Sequence, residues 1–121
     1  MNAVPNSVLV CPQEFKGSLS AYEACHAISR AVRRLLPIAT VIEQPMADGG
    51  PGTVNIISQS LKGKVIQKEV TGPFGSPRLA TYSIIEKGDS TSIAVIEQAS
   101  VTALANETPN SLDPTVATSY G

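Results

Sequence analysis

Apolar positions along the chain change their period several times, and each change predicts an element. Val8-Leu9-Val10-Cys11 is a short continuous apolar run, as expected of a buried parallel strand. A turn from Pro12 to Leu19 follows. Ser20 and Glu23 then spell a capping box, and Ala21, Ala24, Cys25, Ile28, Val32 and Leu35 recur at helical spacing until Pro37 stops the helix. Thr40 to Gln44 reads as a second strand. Strand, helix and strand in this order are the unit of a parallel sheet with a right-handed crossover.

Met46 to Gly52 is a loop dense in glycine, and Thr53 to Leu61 reads as a second helix with Val54, Ile57 and Leu61 on one side. Lys62-Gly63 closes it, and Lys64 to Val70 reads as a third strand. The expected fold class is therefore α/β, a parallel three-layer α/β/α Rossmann-like sheet built from a β-α-β-α-β half. The character changes at Thr71. Gly72-Pro73-Phe74-Gly75-Ser76-Pro77 is turn chemistry throughout. Beyond it, Leu79 to Glu86 and Thr91 to Glu97 are β-rich runs joined by Lys87-Gly88-Asp89-Ser90, a hairpin signal. Ala99 to Gly121 is poor in large apolar residues and rich in Thr, Ser, Asn and Pro. The expected division is residues 1–71 as part of a first α/β domain and residues 72–121 as the incomplete beginning of a second. No internal repeat is present.

Composition adds exclusions. Hydrophobic residues make up 42% and charged residues 16% of the 121 positions, which is globular material. Nine basic and ten acidic residues leave a net charge of -1, so no electrostatic face for nucleic acid or anionic lipid is expected. The one basic cluster, Arg30, Arg33 and Arg34, sits at helical spacing and reads as the solvated side of a helix. Cys11 and Cys25 make neither a disulfide framework nor a metal quartet and read as small buried thiols, while the single His26 reads as helix surface. The segment Met1 to Cys11 lacks a basic n-region, and its apolar run is interrupted by Pro5 and Asn6. Neither a secretory signal nor a membrane span is expected, and a cytoplasmic protein is.

Two segments carry candidate chemistry. Phe15-Lys16-Gly17-Ser18 lies between the first strand and the first helix, at the strand end where open α/β sheets bind ligands. A helix N-terminus, the Lys16 ammonium and the Ser18 hydroxyl would together stabilise a carboxylate or phosphate there. The plainer alternative is a surface lysine beside an ordinary cap. Met46-Ala47-Asp48-Gly49-Gly50-Pro51-Gly52-Thr53 occupies the same kind of junction. Its glycines let backbone approach a ligand or take positive φ. Asp48 could orient a hydroxyl, hold a metal or take a proton. Pro51 fits the first turn of the helix. Here the alternative is a glycine-rich turn with Asp48 as the cap. The segment is not a Walker A motif, because no Gly-Lys-Ser/Thr follows the glycines, and it is not a dinucleotide fingerprint, which follows the first strand directly.

Phe15-Lys16-Gly17-Ser18-Leu19-Ser20-Ala21, then Pro45-Met46-Ala47-Asp48-Gly49-Gly50 with Gly52-Thr53, resembles the opening of the glycerate-2-kinases. Val70-Thr71-Gly72-Pro73, Ala94-Val95-Ile96-Glu97 and Tyr120-Gly121 fit the same pattern in order. The resemblance implies ATP-dependent phosphorylation of D-glycerate to 2-phosphoglycerate, with Mg²⁺, in a cleft between two α/β domains. It further implies Lys16 and Asp48 as catalytic residues. Gly17, Ser18, Gly49, Gly50, Gly52 and Thr53 are the implied substrate- or phosphate-binding residues; metal ligands stay unassigned.

Three differences from the family pattern stand out. Gln13 takes the place of the usual aspartate, and Pro51 that of a glutamate, so two carboxylates are missing from the ligand-facing edge. Family chains also continue well past Tyr120-Gly121. The expectation is accordingly an N-terminal portion of a glycerate kinase, inactive as an isolated chain, with exposed apolar surface that favours self-association. The alternative is a catalytically impaired or non-catalytic homologue that binds a small carboxylate or a protein partner.

Overall fold

The structure, a computed structural model, describes residues 6–103 and 112–120. Met1 to Pro5, residues 104–111 of the polar C-terminal stretch and Gly121 of the closing Tyr120-Gly121 lie outside the described residues. The chain divides between Asp48 and Gly49 into two compact units.

The first unit is strand, helix, strand. β1 (Ser7–Val10) pairs in parallel with β2 (Thr40–Glu43), with Val8 opposite Val41 and Leu9 opposite Ile42. Between them runs α1 (Ala21–Leu35), which starts at the capping box read from the sequence. Ser20 Oγ accepts from Glu23 N–H at 3.2 Å, and the Glu23 carboxylate accepts from Ser20 N–H at 2.8 Å. Leu36 ends the helix, with its N–H on the Val32 carbonyl at 2.8 Å, directly before Pro37.

The buried stripe of α1 is narrower than its apolar spacing suggests. Ala21, Ala24, Cys25 and Ser29 are buried, whereas Ile28 and Leu35 are exposed. The Cys25 thiol donates to the Val10 carbonyl at 3.3 Å, tying the helix to the end of β1. Cys11 corrects the expectation of two buried thiols. β1 ends at Val10, its buried residue, and the next side chain is exposed at the start of the loop. Along the flank of the buried stripe, Arg33 pairs with Glu43 of β2 at 2.7 Å and exposed His26 stands 3.8 Å from it. The guanidinium of Arg33 is the main reason that the Glu43 carboxyl is held below its ordinary range.

In the second unit α2 (Thr53–Leu61) leads into three strands, β3 (Lys64–Thr71), β4 (Pro77–Glu86) and β5 (Ser92–Ile96), and a short α3 (Ala99–Thr102). The order β3-β4-β5 is antiparallel throughout, with Gln67 opposite Thr81 and Ile84 opposite Ala94. Here the structure corrects the β-α-β-α-β reading: β3 is not a third parallel strand beside β1 and β2. The Gly72-to-Pro77 segment is a hairpin turn, closed by Gly72 N–H to the Ser76 carbonyl at 2.7 Å and by Gly75 at φ +85, and it folds β4 back onto β3. The second hairpin is the expected one, with Lys87 N–H on the Thr91 carbonyl at 2.8 Å. Asp89 accepts from both Thr91 N–H and Thr91 Oγ1, bonds that hold its carboxyl low.

β4 is the spine of this unit. Ser83 and Ile85 are buried on it, α2 packs against it through Val54 and Ser58, and α3 adds Val101. Gly63, just past α2, lies so close to β4 that a Cβ would meet Ser83 Oγ and, at 2.9 Å, Ile85 Cγ1. The positive φ at the helix end belongs to Lys62, at +55.

Candidate functional site

In the first unit the carboxyl end of the parallel pair gathers Lys16, Gly17, Ser18 and Asp48. Pairing runs past the strands: Gln44 N–H reaches the Val10 carbonyl at 2.8 Å and Met46 N–H the Pro12 carbonyl at 2.9 Å. The segments leading to Phe15 and to Asp48 therefore leave the sheet side by side, at the edge where open α/β sheets place their ligands. Phe15 and Leu19 face each other across a tight loop, with Phe15 N–H on the Leu19 carbonyl at 2.8 Å. Ser18 N–H and Oγ both donate to the Phe15 carbonyl, at 2.9 and 3.0 Å, and Gly17 sits at φ +75. A side chain at Gly17 would meet open space, so glycine there serves the backbone angle rather than close packing. The tip presents Lys16 to solvent, and Asp48 is exposed as well.

The N-terminus of α1, offered as part of an anion site, already holds a carboxylate. Glu23 receives the Ser20 N–H and hydroxyl, and these bonds hold its carboxyl below the ordinary range. Glu23 thus offsets part of the positive charge of the helix end, and Lys16 brings a full one to the loop.

In the second unit Gly49, Gly50, Gly52 and Thr53 form the approach to α2. Gly49 and Gly52 both take φ +90. Gly52 is the N-cap, so Pro51 precedes the helix instead of filling its first turn. Gly49 N–H donates to Thr53 Oγ1 at 3.0 Å and Thr53 N–H to the Gly50 carbonyl at 3.2 Å. The helix start has no cap from its own side chains. Glu97 supplies one from the end of β5: its Oε1 accepts from Gly52 N–H at 3.2 Å and its Oε2 from Val54 N–H at 2.9 Å. The role that a local reading offers to Asp48 is filled, for these two N–H groups, by a residue more than forty positions away.

Glu97 is 7% exposed and is the one buried charged side chain among the described residues. Sequence reading assigns it no role. Two signals point to it in retrospect: a carboxylate closing the apolar run Ile93 to Ile96, and a glycine N-cap that cannot cap its own helix. Among the described residues no three His, Cys, Asp or Glu side chains converge as a metal site, and no helix is long and apolar enough to cross a membrane.

Comparison with known proteins gives the family of the chain. The sequence profile of the glycerate kinase family matches residues 8–121. Glycerate kinases of Haemophilus influenzae and Bacillus subtilis are 37% and 36% identical to the chain over 113 and 114 residues, which is 93% and 94% of it. A glycerate 2-kinase of Escherichia coli is 36% identical over 114 residues. A crystal structure from Salmonella typhimurium LT2, assigned as a glycerate kinase 2, superposes with a TM-score of 0.70 at 36% identity, over 98% of this chain and 31% of that one. The chain spans 29% of the length of each of the three curated relatives. With the family profile matched from β1 to its C-terminal residue, the chain belongs to the glycerate kinase family.

Proposed function

We propose that these residues are the N-terminal portion of a glycerate 2-kinase, which transfers the terminal phosphoryl group of ATP to D-glycerate and yields 2-phosphoglycerate. The observation that carries this reading is the pairing that runs beyond β1 and β2, because it delivers the Lys16 loop and Asp48 to one ligand-facing edge in a member of this family. Lys16 balances charge on the transferred phosphoryl group, and Ser18 lies beside it. Asp48 orients the attacking hydroxyl and accepts its proton. Gly17, Gly49, Gly50, Gly52 and Thr53 allow backbone to approach the substrate closely. One hard carboxylate and one ammonium suit a nucleotide that brings its own Mg²⁺, which keeps most of its coordination on phosphate and water. Such a reaction is mostly positioning and charge stabilisation, tasks within reach of these groups.

In the complete protein β1 and β2 would belong to the three-layer Rossmann-like sheet of one of two α/β domains, and the enzyme would be cytoplasmic. The exposed Leu9 and Ile42 of the isolated parallel pair would favour self-association of this portion alone.

Gln13 and Pro51 favour a second reading, a homologue with little or no catalysis that binds a small carboxylate or a protein partner. A coupled assay on the full-length protein with D-glycerate and MgATP separates the two. In the first reading the protein turns over, and Lys16→Ala and Asp48→Asn each lower kcat by about 100-fold or more. Unchanged rates in both variants would refute the site. In the second reading the protein is nearly inactive until Gln13→Asp and Pro51→Glu are combined.

A further inference from the structure

We infer that Glu97 is a positioning residue for the Gly49–Thr53 segment, and that its carboxylate turns this segment into a reader of substrate hydroxyls rather than a phosphate cradle. The substrate's identity rests on the kinase reading above; the geometry does not.

Glycine-rich approaches to helices bind phosphate when their N–H groups have nothing else to bond and the helix end carries its partial positive charge. Neither condition holds at α2. Gly52 and Val54 N–H donate to Glu97, Gly49 N–H donates to Thr53 Oγ1, and Thr53 N–H donates to the Gly50 carbonyl. Pro51 has no N–H to offer. A phosphate arriving here would have to displace a buried carboxylate from two hydrogen bonds while repelled by its charge.

What the segment retains suits the hydroxyl-bearing end of a substrate such as D-glycerate, with the substrate's own carboxylate held elsewhere. Its carbonyls accept from hydroxyls, and Thr53 Oγ1, which accepts from Gly49, keeps its own proton to donate. Glu97 also sets where these groups stand. Two positive-φ glycines leave the segment without side-chain packing of its own, since a Cβ at either would meet nothing within 4 Å. The two bonds from the end of β5 therefore fix the register of the segment against the sheet of its own unit.

Residue-resolved hydrogen exchange and steady-state kinetics on the full-length protein test this. Glu97→Ala should speed exchange at Gly52 and Val54 by about tenfold or more, the loss expected for hydrogen bonds to a charged acceptor. Glu97→Gln, which keeps one acceptor oxygen, should fall between it and wild type. Inorganic phosphate should add no protection to either amide in wild type. The KM for D-glycerate should rise, with kcat/KM down about 100-fold, the cost of a misplaced contact. Ile85→Val, a destabilising change in the same core, should leave that KM unchanged. Should Glu97→Ala fail to fold, Glu97→Gln and Glu97→Asp carry the same comparison. The proposal is overturned if phosphate adds protection at Gly52 or Val54 in wild type. It is overturned equally if the Glu97 variants exchange as wild type does, or if they move KM no more than Ile85→Val. A wild-type protein that phosphorylates no glycerate would defeat the kinase reading, and the exchange arm would still decide the role of Glu97.

Discussion

Replacing Gly63 by alanine probes the tightest seam of the second unit. A Cβ there would press into Ser83 Oγ, stand 2.9 Å from Ile85 Cγ1 and 3.4 Å from the Ile84 carbonyl oxygen. None of these has room to retreat. Ser83 is 0% and Ile85 6% exposed, and β4 is paired on both sides. Overpacking of this kind costs about 1–3 kcal/mol. Because Gly63 is not at positive φ, alanine also restricts the unfolded chain, which returns about 0.4–1 kcal/mol. The net expectation is a loss of about 1–2 kcal/mol, read in urea unfolding followed by circular dichroism as a lower midpoint with an unchanged slope. Ser83 Oγ has no hydrogen-bond partner among the described residues, so Ser83→Ala should itself be mild. In that background Gly63→Ala should cost less, by a coupling of about 0.5–1 kcal/mol. A single variant within about 0.5 kcal/mol of wild type, or a double variant with no coupling, would refute the steric argument.

Other expectations concern helix ends. Ser20→Ala removes the acceptor for Glu23 N–H and should cost about 1 kcal/mol near neutral pH. Glu23's carboxyl is lowered in the folded state, chiefly by the Ser20 N–H, so its contribution is present above the unfolded value and lost as pH falls through the folded one. Ser20→Ala keeps that N–H but loses the hydroxyl bond that also lowers the carboxyl, so its stability gap to wild type should shrink slightly on acidification; a gap that widens in acid titrations would contradict this. Lys62→Gly relieves a left-handed residue at the end of α2 and should raise the unfolding free energy by about 0.5–1 kcal/mol, and a lowered value would argue against strain there.

What the sequence made legible was local. The capping box at Ser20 and Glu23, the Pro37 stop and the Lys87–Ser90 hairpin are each written in neighbouring residues, and each stands in the structure. The pairing of β3 was not legible, because an eight-residue β run carries no mark of its partner's direction. Only the brevity of the Gly72–Ser76 turn, too short for a crossover, bore on it. Burial along α1 was misjudged for a related reason. Spacing names the apolar stripe but not its width, and Ser29 took a place in the core while Ile28 stayed outside. Of the candidate site, the two strand-to-helix loops could be found from their residue types. Glu97 left only indirect signals, since its partners lie 45 and 43 residues upstream.

The unequal surroundings of the two cysteines have a practical consequence. Cys25 is enclosed and bonded to the Val10 carbonyl, while Cys11 lies open only two residues before Gln13. A maleimide or a spin label offered to the folded chain will therefore find one address. That address sits at the root of the Lys16 loop, so a dye placed there without any mutation would report, through its mobility, whether the loop takes hold of a ligand.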